Sequence, residues 1–236
     1  MTSPEIDAAP DARRVVVLIS GSGSNLQALI DTAQTKDGLS GENSLGGDIV
    51  AVISDKADAY GLERARQAGI TDLSLSAKDY PSREAYDLQL ARLVEEQQPD
   101  LIVLAGFMRI LSPAFVLKFQ GRLLNIHPSL LPKYKGLHTH RRVLEAGDEE
   151  HGLSIHFVTE ELDGGPLVLQ AKVPVTVDDD EASLASKVQI QEHTLYPIVV
   201  RWFLQGRLQL ISNCPALDGK PLPKQGVLYQ ESTSSQ

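Results

Sequence analysis

Two short segments of the chain, residues 15–19 and 101–105, are apolar at every position rather than at alternate positions. Strands with this pattern are buried on both faces, which is typical of parallel sheets covered by helices on each side. Three further strands are predicted up to residue 126, at residues 48–53, 72–75 and 122–126. Three helices are predicted between the strands, at residues 25–34, 59–68 and 82–97. Gly69 and Pro99 lie just beyond the second and third helices, where residues of these types stop a helix.

The pattern changes after Gly152. Residues 153–158 and 167–175 are predicted to be a pair of strands, because the segment Asp163-Gly164-Gly165-Pro166 between them is a strong turn signal. A long helix is predicted over residues 181–205, where apolar residues recur at helical spacing. The alternation of strands and helices up to residue 126 predicts an α/β fold with a doubly wound, mostly parallel, Rossmann-like sheet. The later strands are expected to form an antiparallel pair that extends or caps this sheet.

One domain is predicted to span residues 14–226, which suits a chain of 236 residues. The segments at its two ends, residues 1–13 and 227–236, are predicted to be disordered tails. Residues 36–47 are rich in Gly, Ser and Asn, and they are predicted to form an exposed loop.

Composition and charge narrow the classes of function. The chain is 42% hydrophobic and 22% charged, which suits a soluble globular protein. Its formal net charge of −9 argues against broad binding to nucleic acid or to anionic membranes, since both need a basic surface. The single cysteine, Cys214, cannot form an internal disulfide, and no apolar segment suits a signal peptide or a membrane span. We therefore expect a cytoplasmic protein with no nucleic-acid or membrane partner.

A glycine-rich segment, Gly21-Ser22-Gly23-Ser24-Asn25-Leu26, follows the first predicted strand. Backbone N–H groups of such a turn and of the helix after it can bind a phosphate. Leu26 stands where the dinucleotide-binding fingerprint needs a third glycine, and the chain has no Gly-Lys-Ser/Thr tripeptide for a P-loop. The pattern favours a phosphate site for a smaller ligand over a nucleotide site. An equally good interpretation is that these residues only turn the chain, with Ser24 or Asn25 capping the helix.

Asn125 and His127 lie two residues apart where a buried strand ends, so their side chains share one face of the sheet. Pro128 stops the strand at its carboxyl end, where open α/β sheets build their sites. An amide donor beside an imidazole suits a reaction that develops negative charge on a carbonyl oxygen. The alternative, which residue types alone favour slightly, is a polar pair that satisfies nearby backbone groups.

Three other sets of polar residues are open to two interpretations. Asp163 is either an ordinary turn residue or a carboxylate that pairs with His127 and favours the imidazolium form. Glu192 lies on the apolar stripe of the last helix, so it either contacts a ligand or reaches water at the edge of that stripe. The remaining histidines that lie near one another, His138, His140, His151 and His156, show neither a matching cysteine pair nor a His-Glu-x-x-His helix. This argues against a metal site.

Five segments of the chain together carry a resemblance to a known family. They are Val17-Leu18-Ile19-Ser20-Gly21-Ser22-Gly23-Ser24-Asn25-Leu26-Gln27, Ala105-Gly106-Phe107-Met108-Arg109-Ile110-Leu111-Ser112, Leu124-Asn125-Ile126-His127-Pro128-Ser129-Leu130-Leu131-Pro132, Gly136-Leu137-His138-Thr139-His140 and Glu161-Leu162-Asp163-Gly164-Gly165-Pro166. They resemble the phosphoribosylglycinamide formyltransferase family, folate-dependent enzymes of purine synthesis within the wider formyltransferase superfamily. The likeness runs from about residue 14 to about residue 226. The long 36–47 loop and the N-terminal tail depart from the family pattern, which puts oligomer contacts in doubt.

The resemblance implies roles for particular residues. The binding site for glycinamide ribonucleotide is implied to consist of Gly23, Ser24, Asn25, Gln189 and Glu192. The pocket for the co-substrate 10-formyltetrahydrofolate is implied to consist of Arg83, Met108, Arg109, Ile110, Leu111, Asn125, Thr159, Glu160, Glu161, Leu162 and Asp163. Asn125, His127 and Asp163 are implied to be the catalytic residues, in a monomer or a homodimer that needs no metal.

The implied reaction transfers the formyl group from the folate to the primary amine of the ribonucleotide. Asn125 and protonated His127 would stabilise the oxyanion of a tetrahedral intermediate. Asp163 would support His127 and assist proton transfer.

Three other functions are alternatives to transfer of the formyl group to glycinamide ribonucleotide. A methionyl-tRNA formyltransferase is expected to carry an additional C-terminal RNA-contacting domain, and a formyltetrahydrofolate hydrolase an additional N-terminal regulatory domain. The predicted domain, residues 14–226, leaves room for neither. A non-catalytic module that binds a phosphorylated metabolite is the alternative from another class.

Overall fold

The computed structural model describes residues 13–35 and 44–229, which form two β-sheets and the helices that cover the larger one. The larger sheet has eight strands in the order β11-β7-β6-β5-β4-β1-β2-β3. Its strands are β1 Arg14–Ile19, β2 Asp48–Ser54, β3 Thr71–Ser74, β4 Leu101–Leu104, β5 Leu123–His127, β6 Glu150–Phe157, β7 Leu167–Pro174 and β11 Val227–Tyr229. The strands from β3 to β5 along the sheet are mutually parallel, whereas β6 pairs antiparallel with both β5 and β7. The predicted fold class is confirmed.

Within the described residues, six α-helices connect the strands. They are α1 Ser24–Gln34, α2 Tyr60–Gln67, α3 Arg83–Glu96, α4 Pro113–Lys118, α5 Thr139–Ala146 and α6 Glu181–Leu204. Local sequence signals set several of the ends. The side chain of Ser82 accepts a hydrogen bond from Ala85 N–H at the start of α3, and Asp180 and Ser183 form a capping box at the start of α6.

Two apolar cores lie on opposite faces of the larger sheet. Residues of α1 and α6, such as Leu29 and Leu195, pack on one face with alternate residues of β1 and β4. Residues of α3 and α4, such as Leu90 and Phe115, pack on the other face. The central strands are therefore buried on both sides, which is why β1 and β4 are apolar at every position.

The strand order reverses between β1 and β4. From β1 the chain continues outward to β2 and β3, and after β4 it continues in the opposite direction to β5. The loops that leave the carboxyl ends of β1 and β4 therefore diverge and open a crevice. Ligands of open α/β sheets bind at such a point.

Two predicted boundaries need correction. Residues 227–229 were predicted to belong to a disordered tail, but they form β11, which pairs in parallel with Leu169–Ala171 of β7. The exposed loop predicted at 36–47 is also wrong at its end, because Leu45 is fully buried in the core and packs with the residues around α6. The rest of that loop, residues 36–43, and the tail segments 1–12 and 230–236 lie outside the described residues.

Some short elements were not predicted. A separate antiparallel sheet is formed by β8 Leu208–Ile211, β9 Cys214–Leu217 and β10 Lys220–Pro221. The helices α4 and α5 and a single 3₁₀ turn at Ala77–Asp79 are further additions. Each of these elements has eight residues or fewer, so any periodic pattern that it shows in the sequence is short.

Candidate active site

A cavity of about 550 Å³ opens at the carboxyl edge of the larger sheet, in the crevice beside β1, β4 and β5. Its walls are the loop after β4, the end of β5, the loop that leads into α5 and one face of α6. Asn25, Asn125, His127, Asp163 and Glu192 all line it. Residues separated by as many as 167 positions in the chain therefore meet in one pocket.

The side chains of His127 and Asp163 form a buried ion-pair contact. Nδ1 of His127 lies 3.5 Å from Oδ2 of Asp163, and each side chain is 8% exposed. The same carboxylate oxygen accepts a hydrogen bond of 2.8 Å from Gly136 N–H. Asp163 has a φ of 46°, a left-handed conformation that aspartate tolerates better than most residues. Asp163 is therefore both a turn residue and the partner of His127.

The contacts of His127 assign a proton to its Nε2. Its Nε2 lies 2.9 Å from the carbonyl oxygen of Tyr134, which can only accept, so Nε2 carries a proton. Nδ1 faces a carboxylate, which also only accepts. Since 3.5 Å is longer than an ordinary hydrogen bond, Nδ1 is not held exclusively by Asp163.

Asn125 lies beside a second histidine, His156, on the neighbouring strand β6. The two residues are direct partners in the antiparallel register, and Nδ2 of Asn125 lies 3.1 Å from Nε2 of His156. His156 is 2% exposed, and its Nε2 also lies 3.9 Å from Oδ1 of Asp163. Asn125, His127, His156 and Asp163 thus form one contiguous polar group at the base of the cavity.

The glycine loop turns directly into α1. Gly23 is the N-cap of α1 with a φ of 70°, and because it has no side chain it gives the first turn no side-chain cap. The hypothesis that Ser24 or Asn25 caps this helix is wrong, because both side chains contact α6 instead. Gln189 Nε2–H donates to Ser24 Oγ over 3.0 Å, and Asn25 Nδ2–H donates to Glu192 Oε2 over 2.8 Å. An N-terminus without a side-chain cap suits an anionic ligand.

Glu192 is a buried carboxylate at the wall of the cavity. Only 7% of the residue is exposed, so the interpretation that its head reaches water is wrong. Burial raises the pKa of Glu192, and the hydrogen bond from Asn25 only partly opposes this effect. One turn later on α6 the Tyr196 hydroxyl lies 3.0 Å from the carbonyl oxygens of Leu104 and Leu124, which fixes the helix against β4 and β5. Helix α6 holds the side chain of Glu192 towards the cavity, although burial at this position disfavours the ionised form of the carboxyl group.

A smaller cleft adjoins the cavity and shares Asn125 and Asp163 with it. The cleft is lined by most residues that were predicted to bind the folate: Arg109, Ile110, Leu111, Asn125, Thr159, Glu160, Glu161, Leu162 and Asp163. Met108 lines the main cavity and is 65% exposed. The backbone N–H of Met108 donates to Ser20 Oγ over 2.9 Å, which ties this loop to the end of β1. Arg83 lines neither space and forms an exposed ion pair of 3.4 Å with Glu84.

Comparison with known proteins identifies the family. A model of the family described as formyl transferase matches residues 13–200 of the chain. The chain belongs to the formyl transferase family. It is therefore an enzyme that transfers a formyl group, and the cavity at the switch point of the sheet is its candidate active site.

Individual relatives match this formyltransferase over nearly its whole length. Phosphoribosylglycinamide formyltransferase of Escherichia coli (strain K12) is 59% identical over 217 residues, which are 92% of this chain and 99% of that protein. A solved structure of phosphoribosylglycinamide formyltransferase from Coxiella burnetii superposes with a TM-score of 0.87 at 48% identity and covers 93% of this chain and 100% of its own. Glycinamide ribonucleotide transformylase 1 from Symbiobacterium toebii gives a TM-score of 0.83 at 41% identity, over 92% and 99% of the two chains.

The contact between His156 and Asn125 in this formyltransferase was missed by sequence reasoning. His156 was considered there only as one of several possible metal ligands. The signal that could have found it is the pairing of β5 with β6, which places residues 125 and 156 opposite each other.

Within residues 13–35 and 44–229 no group of three or more His, Cys, Asp and Glu side chains is arranged to hold a metal ion. No helix in the described part of the chain is long and apolar enough to span a membrane.

Proposed function

We propose that this formyltransferase transfers the formyl group of 10-formyltetrahydrofolate to the amine of glycinamide ribonucleotide, in the cytoplasm, as a step of purine synthesis. The observation that carries the proposal is the placement of two recognition elements in one crevice. Helix α1 begins at Gly23 without a side-chain cap, and its Asn25 lines the same cavity as Asn125, His127, Asp163 and Glu192. The relatives named above act on the same ribonucleotide by name.

We assign the ribonucleotide to the part of the cavity lined by Asn25, Gln189 and Glu192. Its phosphate is bound by backbone N–H groups of Gly23, Ser24 and Asn25, where the dipole of α1 favours an anion. Its ribose hydroxyls donate to Glu192, which within the described part of the chain accepts a hydrogen bond from Asn25. Gln189 lies beside Ser24 and completes this side of the site.

We assign the folate to the cleft lined by residues 109–111 and 159–163 and to the adjoining part of the cavity, whose lining includes Arg109, Ile110 and Leu162. Asn125 and Asp163 line both the cleft and the cavity, so a formyl group at their junction is within reach of the catalytic residues. Arg83 lies outside both spaces, and we assign it no contact with the reacting part of the folate.

The amine attacks the formyl carbon, and the carbonyl oxygen becomes an oxyanion. Asn125 Nδ2–H and the Nδ1–H of the His127 imidazolium donate to that oxygen. The bond between the formyl carbon and the folate nitrogen then breaks. Asp163, directly or through one water, accepts the proton that the amine loses and returns it to the leaving nitrogen. The reaction needs no covalent enzyme intermediate.

A spectroscopic assay of tetrahydrofolate release, run with and without glycinamide ribonucleotide, tests the proposal. Release that depends on the ribonucleotide supports it. Release without the ribonucleotide indicates a formyltetrahydrofolate hydrolase. Binding of both ligands without release indicates a non-catalytic binding module.

The replacement Gly23→Ala is expected to raise the dissociation constant of glycinamide ribonucleotide while that of the folate stays near the wild-type value. A Cβ at Gly23 lies 2.7 Å from the Cα of Gly61, and the φ of 70° is unfavourable for alanine by about 1–2 kcal/mol. The loop must shift to relieve both effects, so the N–H groups that bind the phosphate lose their alignment. Isothermal titration with each ligand measures the two constants.

Gly21→Ala is the matched control for the loop, because nothing lies within 4 Å of a Cβ at that position. It should bind both ligands as the wild type does. Unchanged ribonucleotide affinity in folded Gly23→Ala protein would place the phosphate elsewhere.

The replacement Glu192→Gln is expected to weaken ribonucleotide binding about tenfold and to leave the free protein at least as stable as the wild type. A hydrogen bond to a charged group is worth about 1 kcal/mol or more beyond one to a neutral group. The pKa of Glu192 is raised in the folded protein, so the fold binds this proton more tightly than the unfolded chain does. Stability is therefore lost as pH rises above the unfolded pKa near 4.5, a loss that glutamine does not suffer.

Thermal unfolding between pH 4 and pH 8 and ribonucleotide titrations measure the two effects. Glu145→Gln, an exposed carboxylate on α5, is the control for loss of charge. A Glu192→Gln protein that is less stable at neutral pH yet binds the ribonucleotide normally would contradict this assignment.

A further inference from the structure

We propose that His156 is a positioning residue that fixes the amide orientation of Asn125 so that one Nδ2–H points at the formyl oxygen. This inference rests on the proposed function, because it gives Asn125 the role of oxyanion donor. It concerns the polar group at the base of the cavity, where His156 contacts Asn125 but is itself almost wholly buried.

The contacts of His156 select one tautomer. Its Nδ1 lies 2.9 Å from the carbonyl oxygen of Phe157, which can only accept, so Nδ1 carries the proton. Burial lowers the pKa of His156, although the Phe157 carbonyl and Asp163 partly oppose this effect, so the ring is neutral. A neutral ring with its proton on Nδ1 has a lone pair on Nε2. Nε2 therefore accepts a hydrogen bond.

This tautomer decides which way the amide of Asn125 faces. At 3.1 Å from Nε2, the Asn125 atom must be the nitrogen, since a carbonyl oxygen there would oppose two lone pairs. One N–H of the amide is then used in the contact with His156. The second N–H of Nδ2 stays available to a ligand in the cavity, which Asn125 lines. Without this contact the amide could rotate and present its oxygen, which would repel an oxyanion.

The surroundings of His156 hold the ring in place. Residues 125 and 156 are partners on adjacent antiparallel strands, so the sheet register sets their separation. The turn that carries Asp163 closes tightly over the same point. A Cβ at Gly165 would lie 1.8 Å from the Phe157 carbonyl oxygen and 3.3 Å from Nδ1 of His156. The glycine therefore permits the close packing that keeps Nδ1–H on the Phe157 carbonyl.

Replacement of His156 by glutamine or by asparagine distinguishes a positioning role of this side chain from a role in packing alone. Glutamine can place an acceptor where Nε2 of His156 lies, whereas asparagine reaches only to the position of Nδ1. His156→Gln is expected to keep kcat within a few-fold of the wild-type value. His156→Asn is expected to lower kcat by about 10- to 10²-fold, with the KM of each substrate little changed, because it leaves the Asn125 amide free to rotate. Equal kcat values for the two variants would overturn the proposal.

A double-mutant cycle tests whether the effect passes through Asn125. In the Asn125→Ala background, His156→Asn should lower kcat no further, because there is no amide left to orient. An additional loss equal to that in the wild-type background would overturn the proposal. Thermal unfolding of each variant identifies any loss that comes from incomplete folding.

The tautomer can be measured without any assay of activity. Imidazole ¹⁵N chemical shifts of the free protein, with six histidines distinguished by the His156 variants, report the protonation of each ring nitrogen. The expected result is a neutral His156 with its proton on Nδ1 between pH 6 and pH 8. An imidazolium, or a proton on Nε2, would overturn the inference. A wild-type protein that released no tetrahydrofolate would instead contradict the proposed function, whatever these shifts show.

Discussion

The replacement Asn125→Ala is expected to lower kcat by about 10²–10³-fold and to leave the KM of both substrates near the wild-type values. One preorganised oxyanion donor contributes about 3–4 kcal/mol to stabilisation of a transition state. The amide lies at the junction of the cavity and the cleft, which both have Asn125 in their lining. Steady-state kinetics with each substrate varied in turn measures both parameters.

The matched control is Gln120→Ala, which removes an exposed amide whose Nε2–H donates to Asn213 Oδ1 across 3.1 Å. Its kinetics should equal those of the wild type. Asn125 is only half-buried, so the variant should fold, and its unfolding temperature checks this. A folded Asn125→Ala protein with kcat within threefold of the wild type would remove Asn125 from the mechanism.

The central part of the fold could be predicted because the apolar pattern of each element there matches its burial in the folded protein. Strands β1 and β4 are buried on both faces, so each position is apolar and the pattern is unambiguous. The long helix α6 has enough turns for its apolar stripe to be recognised. Short elements whose stability comes from partners far along the chain were missed. β11 has three residues and exists because it pairs with β7, more than fifty positions earlier.

The candidate site could be predicted only for residues that lie close together in the chain. The spacing of Asn125 and His127 on one strand placed both on one face. The meeting of His127 with Asp163, by contrast, depends on how two loops fold over the end of the sheet. The contact of Asn125 with His156 depends on the register of β5 and β6. His156 lies within a buried strand of mixed composition and offers no local signal, because any buried polar residue needs a partner and the sequence does not name it.

The replacement Asp163→Asn is expected to lower kcat by about 10²–10⁴-fold, the range for loss of a positioned acid or base. Asparagine is nearly the same shape, and its oxygen can still accept the hydrogen bond from Gly136 N–H. What it loses is the negative charge 3.5 Å from Nδ1 of His127 and the ability to take a proton from the attacking amine. The ground-state complex therefore keeps its contacts, and the KM of each substrate should change little.

A loss of kcat in Asp163→Asn that comes from the missing carboxylate must be distinguished from a loss that comes from disorder of the 159–163 segment. The 159–163 segment is joined to the loop before α5 by Gly136 N–H and by a contact of 2.6 Å between Lys135 and Glu161. Because asparagine can keep the first contact and leaves the second unchanged, folate affinity reports whether the loop stays in place. Normal folate affinity with a large loss of kcat supports a chemical role for the carboxylate. The exposed replacement Glu145→Gln should leave both quantities unchanged, and full activity in Asp163→Asn would show that proton transfer proceeds by another route.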